Sequence, residues 1–230
     1  MGEFIGTLIL VLLGDGVCAA VNLNKSKAQA SGWIVIAMGW GMAVMMGAYI
    51  SGFMGPAHLN PAVTLAMAMN GSIAYSLVVP FIIAQMAGAF VGAALVWLAY
   101  LPHWEATNDQ AAILGTFATG PAIRKYPANL ITEIIGTFVL VLGLLAFTQT
   151  EFAAGTNIFA VAGLIIALGL SLGGPTGYAI NPARDLGPRL AHAVLPIANK
   201  GTSDWQYAWV PVVGPMIGGI IAYGVFQLMV

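Results

Sequence analysis

The chain has 230 residues, with only 7 Lys or Arg and 8 Asp or Glu, so 7% of residues are charged where an ordinary soluble domain has about 25%. Hydrophobic residues make up 60% and the mean hydropathy is +0.91; a compact soluble fold of this size hides only about 70% of its chain surface, which argues against a water-soluble enzyme or a disordered linker. A net charge of −1 without a basic cluster argues against a nucleic-acid partner, and Cys18, alone of its kind, excludes an internal disulfide framework.

This is the composition of an integral membrane protein, and the charge spacing outlines its spans. No Asp, Glu, Lys or Arg occurs between Lys27 and Glu105, between Glu151 and Arg184, or after Asp204. A crossing helix needs about 20 mostly apolar residues. The first span, 3–22, starts at Glu3 without the basic n-region of a cleaved signal peptide. It also carries Asp15, for which the sequence offers neither a partner nor a counterpart. The second span is 33–50, and after it Asn60 opens an apolar stretch, 61–70, too short to cross. The third span, 77–101, leads into the longest polar stretch, 102–130, with His103, Glu105, Asp109, Arg124 and Lys125. Spans at 131–149 and 157–174 follow, then a second short stretch, 182–193, after Asn181, and a last span at 208–229.

The apolar runs are continuous rather than alternating, so they read as helices and not as barrel strands. Both short stretches begin Asn-Pro, a helix N-cap followed by a residue suited to the first helical position. Segments of 10–14 apolar residues read as core or re-entrant pieces. Re-entrant backbone at membrane depth requires burial by protein or a wet cavity. The predicted fold is an all-α membrane protein with six transmembrane helices and two re-entrant half-helices around a pathway.

The halves echo each other. Glu3-Phe4-Ile5-Gly6-Thr7 matches Glu133-Ile134-Ile135-Gly136-Thr137, Leu59-Asn60-Pro61-Ala62 matches Ile180-Asn181-Pro182-Ala183, and Val79-Pro80 matches Val210-Pro211. Three echoes in one order indicate duplication. The chain reads as one domain, 1–230, built of repeats 1–101 and 131–230 joined by 102–130. Three spans per repeat is an odd number, so the repeats are inverted and their broken helices meet at the midplane. Asn60 and Asn181 then face each other, with both helix N-termini pointing inward. That arrangement repels cations and offers N–H donors to neutral polar molecules.

The paired Asn-Pro-Ala motifs, the Glu opening the first and fourth spans, and the six-plus-two layout resemble the aquaporin family. The run Gly177-Tyr178-Ala179-Ile180-Asn181-Pro182-Ala183-Arg184-Asp185, with Asp after the motif's Arg, resembles its glycerol-facilitator (aquaglyceroporin) branch. The resemblance implies a pore in which Asn60, Pro61, Ala62, Asn181, Pro182 and Ala183 form the midplane, the asparagines donating side-chain N–H to the permeant. Capping would occupy only each side-chain oxygen, leaving the amide nitrogen free.

Arg184 is the only cation in a long apolar stretch, which makes it a functional candidate. Pairing with Asp185 is opposed by geometry, because neighbours at i and i+1 on a helix point apart. The resemblance implies that Arg184 forms a selectivity filter with Trp40, Gly169 and Tyr178. Glycine at 169 would leave room for an aromatic wedge, and Tyr178 stands where glycerol facilitators often have Phe. The competing reading of Trp40 is an interfacial anchor. Carbonyls of Pro56, Ala57 and His58 on one side, and of Gly177, Tyr178 and Ala179 on the other, would form the rest of the track. Pro56 departs from the family's usual residue there, so a shifted first approach loop is expected. On its own, His58 reads as a hydrogen-bonded buried histidine.

Glu3 and Glu133 read either as proton relays or as acceptors for the N–H groups of the adjacent loops, and their symmetry favours the second. Gly88–Gly92 and Gly214–Gly218 read as close helix packing. Gly169-Leu170-Ser171-Leu172-Gly173 matches a hydrolase motif by letter but lacks the preceding strand and partners, so it also reads as packing. His58, His103 and His192 have no metal-ligand spacing, and no metal, cofactor or enzymatic activity is expected.

The expected function is passive conduction of glycerol and similar small uncharged solutes with some water, excluding ions and protons. Alternatives are a pore mainly for protonated lactic acid, dihydroxyacetone, urea or hydrogen peroxide, or a proton-coupled secondary transporter. The transporter needs a titratable midplane group where the asparagines stand. The expected setting is the lipid bilayer of the plasma membrane, and the resemblance implies a homotetramer. Lys25, Lys27, Arg124, Lys125 and Lys200 all fall on one face. The positive-inside rule would make that face cytoplasmic. The resemblance puts both termini inside and makes it the outer face, and that orientation is adopted.

Overall fold

The computed structural model describes residues 1–230. Every regular element is helical: α1 (Gly2–Asn22), α2 (Trp33–Ser51), α3 (Pro61–Met69), α4 (Val78–Ala99), α5 (Leu101–Ala106), α6 (Gln110–Phe117), α7 (Tyr126–Phe147), α8 (Asn157–Leu172), α9 (Pro182–Val194) and α10 (Val210–Gln227), with a 3-10 turn at Tyr75–Leu77 before α4. Five are long and apolar enough to cross a membrane: α1, α2, α4 with its lead-in, α7 and α10. The arrangement is an all-α, multi-pass membrane fold.

The fifth expected span is shorter than its hydropathy promised. α8 has 16 residues, about 24 Å at 1.5 Å per residue, because Gly173-Gly174-Pro175 follows Leu172 and no helix continues easily through two glycines into a proline. Conversely, α7 starts at Tyr126 rather than 131. Pro127 suits the first turn, and Asn129 Oδ1 accepts the Lys125 N–H at 2.9 Å.

Polarity is turned inside out. Large apolar side chains such as Val79, Ile83, Ile34 and Phe159 are 60–64% exposed, while Glu3, Asp15, Gln85, Glu133, Asp185 and Arg189 are buried. That pattern suits a lipid surround, where ionisable groups face the interior of the bundle.

The two halves repeat their packing. α1 lies against α2 and α4, and α7 against α8 and α10. α9 packs on α4, α3 on α10, and α2 on α8, so each short helix is cradled by the other half's last long helix. The close crossings depend on glycine. At Gly88 and Gly92 of α4 a Cβ would strike the carbonyl oxygens of Phe4 and Leu8; at Gly218 of α10 it would strike that of Ile134, and at Gly214 the Glu133 side chain.

Segment 102–130, expected to be a plain polar connection, holds α5 and α6. Asp109 caps α6, its Oδ1 accepting the Ala111 N–H at 2.9 Å. The segment is anchored by Trp104, Ile113 and Phe117, all buried; Trp104 stacks on Phe117 at 5.4 Å between centroids. Asn24 and Asn199 donate to the Ala106 and Trp104 carbonyls, at 2.9 and 3.2 Å. Two of the five basic residues on this end are occupied structurally. Lys200 Nζ donates to the His192 and Ala193 carbonyls at 2.8 and 2.9 Å, closing the C-terminus of α9. Arg124 bonds Asp204 at 3.0 Å, which holds its guanidinium pKa above the usual range. Charges recruited by local structure are weak guides to orientation.

Candidate functional site

Asn60 and Asn181 have extended backbones, φ −157 and −156, directly before the proline-led first turns of α3 and α9. Asn60 Oδ1 accepts the Ala62 N–H at 2.9 Å; Asn181 Oδ1 accepts those of Ala183 and Arg184 at 3.0 and 3.2 Å. The side-chain nitrogens are less free than expected. Asn60 Nδ2 donates to the Ile180 carbonyl at 2.8 Å, and Asn181 Nδ2 to the Leu59 carbonyl at 2.7 Å. Each carbonyl just before an asparagine is a buried acceptor that must find a donor, and the opposing amide supplies it. An amide has two hydrogens, so one per asparagine remains for other acceptors. The tips are thus joined reciprocally.

The loops leading to them follow one plan. Ala57 and Leu59 have φ +52 and +54; Tyr178 and Ile180 have φ +39 and +43. Left-handed backbone at a non-glycine residue costs about 1–2 kcal/mol, and the buried carboxylates offset it. Glu3 Oε1 accepts the His58 N–H at 2.8 Å, and Oε2 accepts the Leu59 N–H at 2.7 Å and Gln85 Nε2 at 2.8 Å. Glu133 accepts from the Ala179 N–H at 3.1 Å, the Ile180 N–H at 2.8 Å and the Thr176 hydroxyl at 2.7 Å. The N–H groups turn toward the carboxylates, while the carbonyls of Pro56, Ala57, His58, Gly177, Tyr178 and Ala179 receive no backbone donor.

The shift expected from Pro56 is confined to that residue. Its counterpart Gly177 has φ +80, which proline cannot adopt, yet from Ala57 onward the loops match. The His58 ring sits 3.3 Å from the Thr64 hydroxyl, the hydrogen-bonded histidine expected.

One cavity of about 760 Å³ unites these parts. It runs from Gly55 and the Thr150–Gly155 loop, past Pro56, Ala57 and His58, to Asn60, Asn181, Tyr178, Ala179, Trp40 and Arg184. Gly177 and Gly169 do not themselves line it. A Cβ at Gly177 would lie 3.4 Å from the Thr119 side chain, and Gly169 stands behind Tyr178, where a Cβ would fall 2.8 Å from the ring's Cζ and hydroxyl, the room for an aromatic ring expected there. Gly169 therefore acts on the cavity only through the tyrosine it makes room for.

The Arg184 guanidinium lies 3.8 Å from the Trp40 ring centroid, a cation–π contact deep in the bundle, which removes the interfacial-anchor reading of Trp40. Asp185 turns away from Arg184, as expected. It accepts the Thr119 N–H and hydroxyl at 2.8 and 2.7 Å and Arg189 Nε at 2.9 Å. Arg189 also donates to the Ser203 and Thr119 carbonyls at 2.8 and 2.9 Å, tying α9 to the chain at those two residues.

Sequence reasoning missed Gln85, Thr176 and the setting of Asp15. Gln85 also reaches the Thr64 hydroxyl at 2.8 Å, and as the lone polar side chain in its apolar span it was a findable signal. Asp15, left without a partner, lies 3.9 Å from Arg184 Nη1.

The sequence profile of the family described as "Major intrinsic protein" matches residues 1–226. The chain belongs to the major intrinsic protein family. It is similar to Glycerol uptake facilitator protein 3 of Lactiplantibacillus plantarum, 64% identical over 229 residues, covering all of this chain and 95% of that protein. It is also similar to the glycerol uptake facilitator protein of Streptococcus pneumoniae, 58% identical over 227 residues, covering 99% and 97%. Among solved structures, the aquaglyceroporin from Plasmodium falciparum superposes with a TM-score of 0.86 at 30% identity, covering 98% of this chain and 93% of that one. Within the major intrinsic proteins the chain falls in the glycerol-facilitator branch. It is a multi-pass plasma-membrane transport protein and not an enzyme.

Proposed function

We propose that the protein is a passive channel for glycerol and similarly small uncharged solutes, with some water, that excludes ions and protons. The observation carrying this reading is the reciprocal seating of Asn60 and Asn181 on one cavity. That seating leaves one amide hydrogen on each tip for a permeant hydroxyl and leaves no carboxylate between them. In the full reading, six membrane helices and two re-entrant half-helices, α3 and α9, form inverted repeats 1–101 and 131–230 joined by 102–130. α8, at 16 residues, crosses because the family's duplicated plan requires a counterpart to α2 and because a neighbouring bundle shields its ends.

In this reading a solute leaves water for the carbonyls of Pro56, Ala57 and His58, passes the two Asn-Pro-Ala tips, and meets Ala179, Tyr178, Trp40 and Arg184. Its hydroxyls bond the carbonyls and the guanidinium fork while its C–H faces slide on the aromatic rings. The inward N-termini of both half-helices and Arg184 raise the potential against cations and protons, as is general for aquaporin-type pores. Gly177 and Gly169 support the wall from behind, and Glu3 and Glu133 hold the loops. Both termini lie in the cytoplasm, and four copies assemble with one pore each, the arrangement the family resemblance implies.

Stopped-flow light scattering on proteoliposomes tests the function. Rapid glycerol-driven reswelling, unchanged by an imposed pH gradient, is expected. Fast water flow without glycerol flow would refute the choice of solute, and glycerol flux driven by the gradient would make the protein a proton-coupled transporter.

A further inference from the structure

At the Arg184 end of the cavity, one turn of α1 lies behind Trp40 and Arg184. At Gly14 a Cβ would run into the Trp40 ring, so only glycine lets the indole lie flat against the helix. Trp40 Nε1 donates to Cys18 Sγ at 3.4 Å. Between them Asp15 is fully buried, and neither carboxylate oxygen has a hydrogen-bond partner. Arg184 Nη1 is likewise buried and without a hydrogen bond, 3.9 Å from Asp15 Oδ1. Two buried arginines, Arg184 and Arg189, and two buried aspartates, Asp15 and Asp185, occupy this end of the bundle. Asp185 is engaged by Arg189 and Thr119, which leaves Asp15 facing Arg184. An arginine stays charged at any accessible pH; burial alone favours the protonated acid at Asp15, while the guanidinium 3.9 Å away favours the carboxylate, and neither group has another ion-pair partner.

We propose that Asp15 is the counter-charge of Arg184, a positioning residue that holds the guanidinium back against Trp40 and thereby sets the width and the net neutrality of the constriction. Drawn toward Asp15, the guanidinium leaves lumen space for a polyol's carbon chain while its remaining N–H groups face the path. Freed from Asp15, it can move across the lumen toward the unpaired carbonyls of Tyr178 and Ala179, which narrows the slot for glycerol more than for water. The inference rests on the reading that Arg184 borders the permeation path.

The test is a cycle of Asp15→Asn, Arg184→Val and the double variant, with melting temperature in detergent and the glycerol-to-water permeability ratio in proteoliposomes as readouts. Asp15→Asn is expected to lower the ratio by roughly three- to tenfold, the scale of coupling between contacting charges, and to have no effect on the ratio once Arg184 is valine. The melting temperature is expected to be higher in the double variant than in either single one, because each single variant strands a buried charge. Two sites that are not coupled would give additive losses. Equal effects of Asp15→Asn in both backgrounds, or additive melting losses, would overturn the proposal. Should Asp15→Asn fail to insert, recovery of insertion in the double variant supports the pairing and continued failure overturns it. Absence of glycerol flux in the unmodified protein would refute the solute assignment instead, and the melting cycle would still decide the pairing.

Discussion

Replacing Glu3 with glutamine keeps the side chain's shape and removes one acceptor, which makes it a sharp probe of why a carboxylate is buried there. Glu3 accepts three N–H groups, from His58 at Oε1 and from Leu59 and Gln85 at Oε2, all at 2.7–2.8 Å. Glutamine has one oxygen, so its best orientation keeps Leu59 and Gln85 and turns its NH₂ against the His58 N–H. A buried donor without an acceptor costs about 1–3 kcal/mol, and each of the two surviving bonds loses its charge assistance, about 1 kcal/mol apiece. Removing a buried charge recovers some desolvation free energy, so the net destabilisation is about 2–4 kcal/mol. Ala57 and Leu59 then lose part of what holds them at positive φ, and the carbonyls of the first approach loop lose their fixed direction. Glu3→Gln is expected to lower the melting temperature in detergent and to cut glycerol flux in proteoliposomes. The residual flux should keep the pH dependence of the unmodified protein. Unaltered melting and flux would refute the loop-holding argument, and selective loss of a pH dependence would make Glu3 a proton relay.

Three further substitutions probe the cavity and its support. Arg184→Val leaves Asp15 without its opposing charge and is expected to raise proton or cation leak, read with a pH-sensitive dye in liposomes; unchanged leak in folded protein would remove Arg184 from ion exclusion. Gly169→Phe has no room beside Tyr178, where even a Cβ would lie 2.8 Å from the ring, so the tyrosine must enter the path. Glycerol flux should fall well below that of the unmodified protein, and full flux would remove Gly169 from any influence on the filter. Arg189→Met strands Asp185 among buried groups and should cost about 3–5 kcal/mol, read as a large fall in melting temperature; a melting temperature within error of the unmodified protein would refute the tie between α9 and the segments at Thr119 and Ser203.

Much of the fold was legible because the bilayer imposes a one-dimensional rule. Spans announce themselves as apolar runs of fixed length, so α1, α2, α4, α7 and α10 fall within a few residues of their predicted ranges. The Asn-Pro starts of α3 and α9 were readable from capping chemistry alone. The loop-holding carboxylates were readable too, because Glu3 and Glu133 stand at matching repeat positions and buried N–H groups need acceptors. α8 begins at the predicted residue and ends two residues early, at Leu172, because a helix does not run easily through Gly173 and Gly174 into Pro175. α5 and α6 were missed because they are only six and eight residues long, too short to stand out among the polar residues of 102–130. No periodicity marks them.

By itself the sequence determined that the chain lives in a membrane, that its two halves share three motifs in one order, and that asparagine-capped helices begin after Asn60 and Asn181. Those are statements about the partition preference and local capping of consecutive residues. Only the tertiary structure decided that each asparagine's amide bonds the carbonyl preceding the other, and that Asp15 faces Arg184. Such pairings join residues far apart in the chain. Their strength comes from burial and a fixed distance, and neither exists until the helices have packed.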